Sequence, residues 1–202
     1  MKKIFLFCVM MLTVLSLSAC KEKKQADEQK GQIVVENVIS TDREAMFLNY
    51  GDDYRWYETC ILLKNFLDEE NEGEVAGVSS VFQIVREKDN GADTKVILIS
   101  HTENADQTDV VDGFWVGDFP LNAEAVLIPF EKAFELVQQA NLPKPHSKQC
   151  VLRREVGPTP NVNPQYIFGN VRGQVYVDAV TGGVTDTNPA FPSFNGPLGE
   201  WP

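Results

Sequence analysis

The chain is poor in the residues that build reactive centres. Its two histidines, His101 and His146, stand in no spacing such as His-Glu-x-x-His, and no Cys-x-x-Cys pair occurs. The patterns that gather zinc ligands are therefore missing. No Gly-x-Ser-x-Gly elbow and no glycine-rich phosphate loop is present, which leaves serine hydrolysis and nucleotide-phosphate binding without their signatures. Basic residues are scarce as well: 18 Lys and Arg stand against 29 Asp and Glu, a net charge of −11 that becomes −13 when Lys2 and Lys3 are discounted. So acidic a body repels phosphate backbones, which excludes nucleic acid as a partner and argues against lying flat on an anionic membrane. No cofactor is expected, and an enzymatic role is not.

What the chain does have begins at its N-terminus. Lys2 and Lys3 precede an apolar run over 4–17, too short and too early to be a spanning helix retained in the fold. Residues 1–19 read as an export signal. Leu17-Ser18-Ala19-Cys20 resembles the processing box of bacterial lipoproteins. That resemblance implies lipidation of Cys20, which becomes the mature N-terminus. The alternative is an ordinary secretory signal cut nearby, with Cys20 incidental. Acyl chains supply about 0.8 kcal/mol per buried CH₂, so several chains anchor well where one is marginal. The expected location is the bacterial cell envelope, with a membrane contact through lipid on Cys20 and the body in the periplasm or at the cell surface. Over 21–31 only Ala26 is apolar, too little burial to offset the cost of ordering, and 20–31 reads as a flexible tether.

Residues 32–124 read as a β-rich part. Segment 32–39, rich in Val and Ile, suggests a strand; 43–50 fits a helical turn or a strand. Residues 54–66 form a long apolar stretch suited to a strand covered on both sides, though periodicity alone does not separate it from buried helix. Residues 74–86 and 95–100 alternate as strands around Asn90-Gly91, a strong hairpin signal because both residues tolerate positive φ. A further strand spans 109–119, with Gly113 marking a bulge or bend.

The most secure helix covers 129–142. Phe130, Ala133, Phe134 and Val137 recur at helical spacing, Pro129 suits the first turn, and Pro143 and Pro145 end it. A strand over 149–156 and a hairpin over 165–169 and 174–179 follow. Together these predict an α+β fold, mostly antiparallel sheet with one main helix packed on it.

From Phe130 to Val184 the order is helix, strand, Tyr166-x-Phe168, then Val175-Tyr176-Val177-Asp178-Ala179-x-Thr181-Gly182. This segment resembles a PepSY-type module, taken here as 125–187. The resemblance implies a small exported or membrane-attached module. In some architectures such modules inhibit metallopeptidases; in others they belong to lipoproteins without known activity. No Ser or Thr cap precedes this helix. A diverged second module within 33–116 is an open alternative, since no second Asp-x-x-Thr-Gly aligns there.

Three further candidate sets remain. Cys60 and Cys150 are either a disulfide, which export permits, or two separate buried thiols. Asp106, Asp109 and Asp112 are carboxylates available to calcium, though without the EF-hand order; the alternative is a solvated acidic loop. The segment 188–202 mixes four prolines with Phe191, Phe194 and Trp201. Those aromatics either pack on the body or form a docking segment for a partner, aromatics being frequent at binding hot spots. The function expected from all this is non-catalytic binding of an envelope protein or peptide. The alternatives are a structural envelope component without a specific ligand, and a hydrolase or peptidase-inhibitory role.

Overall fold

A computed structural model describes residues 32–70, 72–88, 91–159 and 161–192. The export signal, Cys20, the tether, Phe194 and Trp201 lie outside the described residues. Among those described, the fold is α+β, a mostly antiparallel sheet with two helices rather than one.

The additional helix, α1 (Val35–Tyr50), begins where a strand is expected. Val and Ile favour strands only weakly, and here a helical stripe overrides them. Val35, Ile39, Asp42 and Met46 are its buried residues, the three-and-four spacing of one helix face. Asp42 stands in the middle of that stripe and conceals its apolar period. The second helix, α2 (Phe130–Gln139), buries Phe130, Ala133, Phe134 and Val137, as its spacing predicts. Burial of each large side chain contributes about 1.5–3 kcal/mol.

The strands are β1 (Tyr54–Leu63), β2 (Val75–Lys88), β3 (Gly91–Thr102), β4 (Asp106–Asp112), β5 (Asp118–Phe119), β6 (Gln149–Glu155), β7 (Gln165–Asn170), β8 (Gly173–Asp178) and β9 (Val184–Thr185). They run in the order β4-β3-β2-β1-β6-β7-β8-β9, with β5 beside β6. The single strand expected over 109–119 is thus two, parted where Gly113 takes φ 142° and the chain leaves the sheet.

The order is symmetric. Helix α1 with β1–β4 and helix α2 with β6–β9 are each a helix followed by a four-stranded antiparallel meander, and their first strands, β1 and β6, pair antiparallel at the centre. Antiparallel pairing of equivalent strands relates the two units by an approximate twofold axis. The turn after each third strand is also built alike. Asp178 Oδ1 accepts from the N–H groups of Val180 and Thr181 at 2.8 and 2.9 Å. Thr102 Oγ1 accepts from those of Asn104 and Ala105 at 3.3 and 3.1 Å. Asx- and Ser/Thr-turns are the same device with different acceptors.

Strand register assigns every side chain a face. Tyr54, Trp56, Ile61, Phe82, Ile97, Cys150, Leu152, Tyr166, Phe168, Val175 and Val177 share the face on which both helices pack, and all but the half-buried Tyr54 are buried. The helix α2 lacks a local cap because the other unit supplies one: the Phe130 N–H donates to Glu36 Oε1 of α1 at 2.5 Å. Pro129 sits at the N-cap position itself. Gly169 lies at φ 117°, and a Cβ there would stand 2.2 Å from the Gly173 carbonyl oxygen. Only glycine lets the β7–β8 hairpin close so tightly.

Candidate functional site

With both helices on one side, the opposite face of the sheet is the larger unclaimed surface. It carries Glu58, Cys60 and Leu62 from β1, Val151, Arg153 and Glu155 from β6, and Ile167 from β7. Two segments reach over its margins. After β4 the chain crosses β2, where the Trp115 N–H donates to Gln83 Oε1 at 2.9 Å. Near the C-terminus Asn188 Nδ2 donates to Glu155 Oε2 at 2.9 Å. Between them Leu62 remains 48% exposed. A shallow groove of about 230 Å³ runs along β6 and β7, floored by Val151 and Ile167 and edged by Gln149, Arg153, Asn170 and Gln174.

Arg153 is the polar centre of this face. Its guanidinium lies 3.6 Å from Glu58 and 3.8 Å from Asp118, and Glu155 is hydrogen-bonded to Nη2. The Trp115 indole donates to the second oxygen of Asp118 at 3.0 Å. Three carboxylates thus share one guanidinium, two formal negative charges in excess. Burial pushes the carboxyl pKa of Glu58 and of Asp118 up, and Arg153 offsets this only in part. A buried carboxylate short of positive charge gains when a cation arrives. The arrangement can therefore present under-neutralised negative charge beside an apolar floor.

The structure places the predicted site residues as follows. Cys60 and Cys150 are both free thiols, not a disulfide. The reason is register: Cys60 pairs with Val151 and Cys150 with Ile61, so the two side chains leave opposite faces of the sheet, as neighbours offset by one residue must. Burial pushes both thiols up. Titration of the unreduced, denatured protein should count both as reactive. In the native state Cys60, half-buried, should react well before the fully buried Cys150.

Asp106, Asp109 and Asp112 do not converge. They lie on the fully exposed edge strand β4, where a rise of about 3.3 Å per residue sets them roughly 10 Å apart with Asp109 on the other face. No group of His, Cys, Asp and Glu suited to a metal occurs among the described residues. What these carboxylates do is charge a sheet edge that would otherwise template pairing. Of the tail aromatics only Phe191 is described. It is half-buried, next to the fully buried Ala190, which packs over Gly157.

Asp178, the marker of the hairpin's end, is occupied by structure. Besides its two turn N–H groups it accepts from Asn163 Nδ2 at 3.0 Å. Burial would raise its pKa, but these donors outweigh burial and lower it. One grouping had no sequence signal: His101 joins Asp106 of β4 at 2.8 Å and Asp42 of α1, 59 residues away, at 2.7 Å through its two ring nitrogens.

No protein-family model, curated protein or solved structure matches the chain.

Proposed function

We propose that the protein is an exported envelope lipoprotein, anchored through Cys20, that binds a protein or peptide partner without catalysis. In this reading 125–187 is a PepSY-like unit, and the unit before it is a diverged second copy with the same helix-plus-meander order. The partner presents a basic segment to the open sheet face. The observation that carries this is the cluster in which Glu58, Asp118 and Glu155 share the cation Arg153, beside an apolar groove on the face opposite the two described helices. Two negative charges in excess favour a Lys or Arg side chain, and oppositely charged surfaces speed encounter and select partners. Val151, half-buried on the groove floor, adds apolar area that gains from being covered.

Photo-crosslinking in the native envelope tests this. A crosslinking side chain at Val151 should capture a discrete partner through a segment rich in Lys or Arg, and Glu58→Gln with Glu155→Gln should weaken that capture. The same probe at exposed Glu135, on α2, should not capture it. Equal capture from both positions, or capture indifferent to the Gln pair, would overturn the reading. Intact mass of the native protein checks the anchor: a diacyl or triacyl addition at Cys20 is expected, and an unmodified mature start elsewhere refutes it.

A further inference from the structure

A second, separate cleft lies at the far end of β1, between the last turns of α1 and the residues after β5. It measures about 380 Å³, and Arg43, Phe47, Tyr54, Arg55, Trp56 and Leu121 are among its walls. We propose that it is a binding site for a small oxyanion ligand, a carboxylate or phosphate carried on a flat apolar body.

In a chain with this excess of acidic residues, two arginines turned into one cleft are against the trend of the whole surface. Arg55 is held in place: its Nη1 donates to the carbonyl oxygens of Asp52 and Tyr54 at 2.7 and 2.8 Å. That fixes the plane of the guanidinium and leaves its other edge to solvent. The side chain of Arg43, half-buried one helical turn before Phe47, has no hydrogen bond or ion pair among the described residues. Planar guanidinium groups bind carboxylate and phosphate through paired N–H donors.

The apolar part has its own surface. Trp56 and Leu121 are buried, and the bridge between them closes the floor, the Leu121 N–H donating to the Trp56 carbonyl at 2.7 Å. Phe47 forms a wall that is 54% exposed, an aromatic ring left to solvent at the mouth of the cleft. Apolar floor, exposed aromatic wall and two cations among the lining residues suit a ligand with a ring or short apolar body and an anionic end. The volume suits a small molecule or a single side chain. Asp52, also on the cleft's rim, is the one carboxylate lining it among the described residues and opposes an anion; it sets an upper limit on affinity and supplies a test.

The test is an NMR titration of the full-length chain in detergent micelles with phenyl phosphate, benzoate and benzyl alcohol, observing the arginine Nε–H and backbone amide signals. Phenyl phosphate, benzoate or both should give saturable shifts at Arg43, Arg55, Tyr54 and Leu121, and their ranking distinguishes phosphate from carboxylate. Benzyl alcohol should give none. Arg43→Gln and Arg55→Gln, both at exposed or half-exposed positions, should each weaken binding about tenfold, the loss expected for a charge-assisted hydrogen bond. Asp52→Asn should tighten it. No saturable shift with either anion, equal shifts with benzyl alcohol, or unchanged binding in both arginine variants would overturn the proposal.

Discussion

Replacing Phe168 with alanine is expected to destabilise the fold by about 3–5 kcal/mol, the range for removing a large aromatic from a packed interior. Phe168 is wholly buried. Its ring lies 6.1 Å from that of Phe130 and 6.4 Å from that of Phe134, so with Tyr166, whose ring is 6.2 Å from Phe130, it holds α2 on β7. Because α2 meets the sheet along one stripe only, the surrounding side chains have little freedom to close the cavity. Domains are stable by roughly 5–15 kcal/mol in total, and this single change removes a large share. Urea unfolding should show the midpoint falling at unchanged slope. Val171→Ala, at a turn position 97% exposed, is the control and should leave the midpoint where it was. A loss under about 1 kcal/mol for Phe168→Ala would mean that α2 does not depend on this ring.

His101→Ala is expected to cost about 2–4 kcal/mol at neutral pH, toward the lower part of the range for breaking a buried pair because the imidazole is itself partly exposed. Asp42 is almost fully buried in the stripe of α1, and His101 is its ion-pair partner. Burial works against protonation of His101, but the hydrogen bonds and charges of Asp42 and Asp106 outweigh it and raise the pKa above 6.5. Burial also raises Asp42, and His101 offsets that only in part.

The signs follow. A histidine whose folded pKa is raised contributes stability that is fully present below its unfolded pKa and is lost as pH rises through the folded one. Wild-type stability should therefore decline from about pH 6.5 upward, with a slope of up to about 1.4 kcal/mol per pH unit for one proton. In His101→Ala that slope should vanish. Asp42 then keeps its raised pKa with no cation beside it, so the variant should regain stability as pH falls and the folded state takes up a proton. A variant whose stability does not depend on pH in either direction would show that the pair does not hold α1 to the sheet.

The cap of α2 comes from a residue distant in the chain. Nothing next to Pro129 can accept from the first N–H of that helix. The acceptor, Glu36, lies 94 residues earlier, at a separation where sequence carries no sign of contact. Asp42 shows a second kind of failure: one polar residue inside a helical stripe broke the apolar period, and its reason for being there, His101, is 59 residues away. The likeness of the two helix-and-meander units was hidden for a third reason. Thr102 and Asp178 make the same turn with different side chains, so the acceptor geometry persists while the letters do not.

From its sequence alone the chain determined the α2 stripe, the strands β1, β2, β3, β6, β7 and β8, and the antiparallel return of β3 on β2. These depend on periodicity and on turn chemistry, which act over a few residues. The tertiary structure alone decided which face each strand turns to the helices, and with that the separation of Cys60 from Cys150, the dispersal of Asp106, Asp109 and Asp112 along an edge, and the gathering of three carboxylates around Arg153. A shift of one residue in pairing reverses every side chain of a strand, and pairing is set by the summed burial of the whole sheet rather than by any segment's own residues.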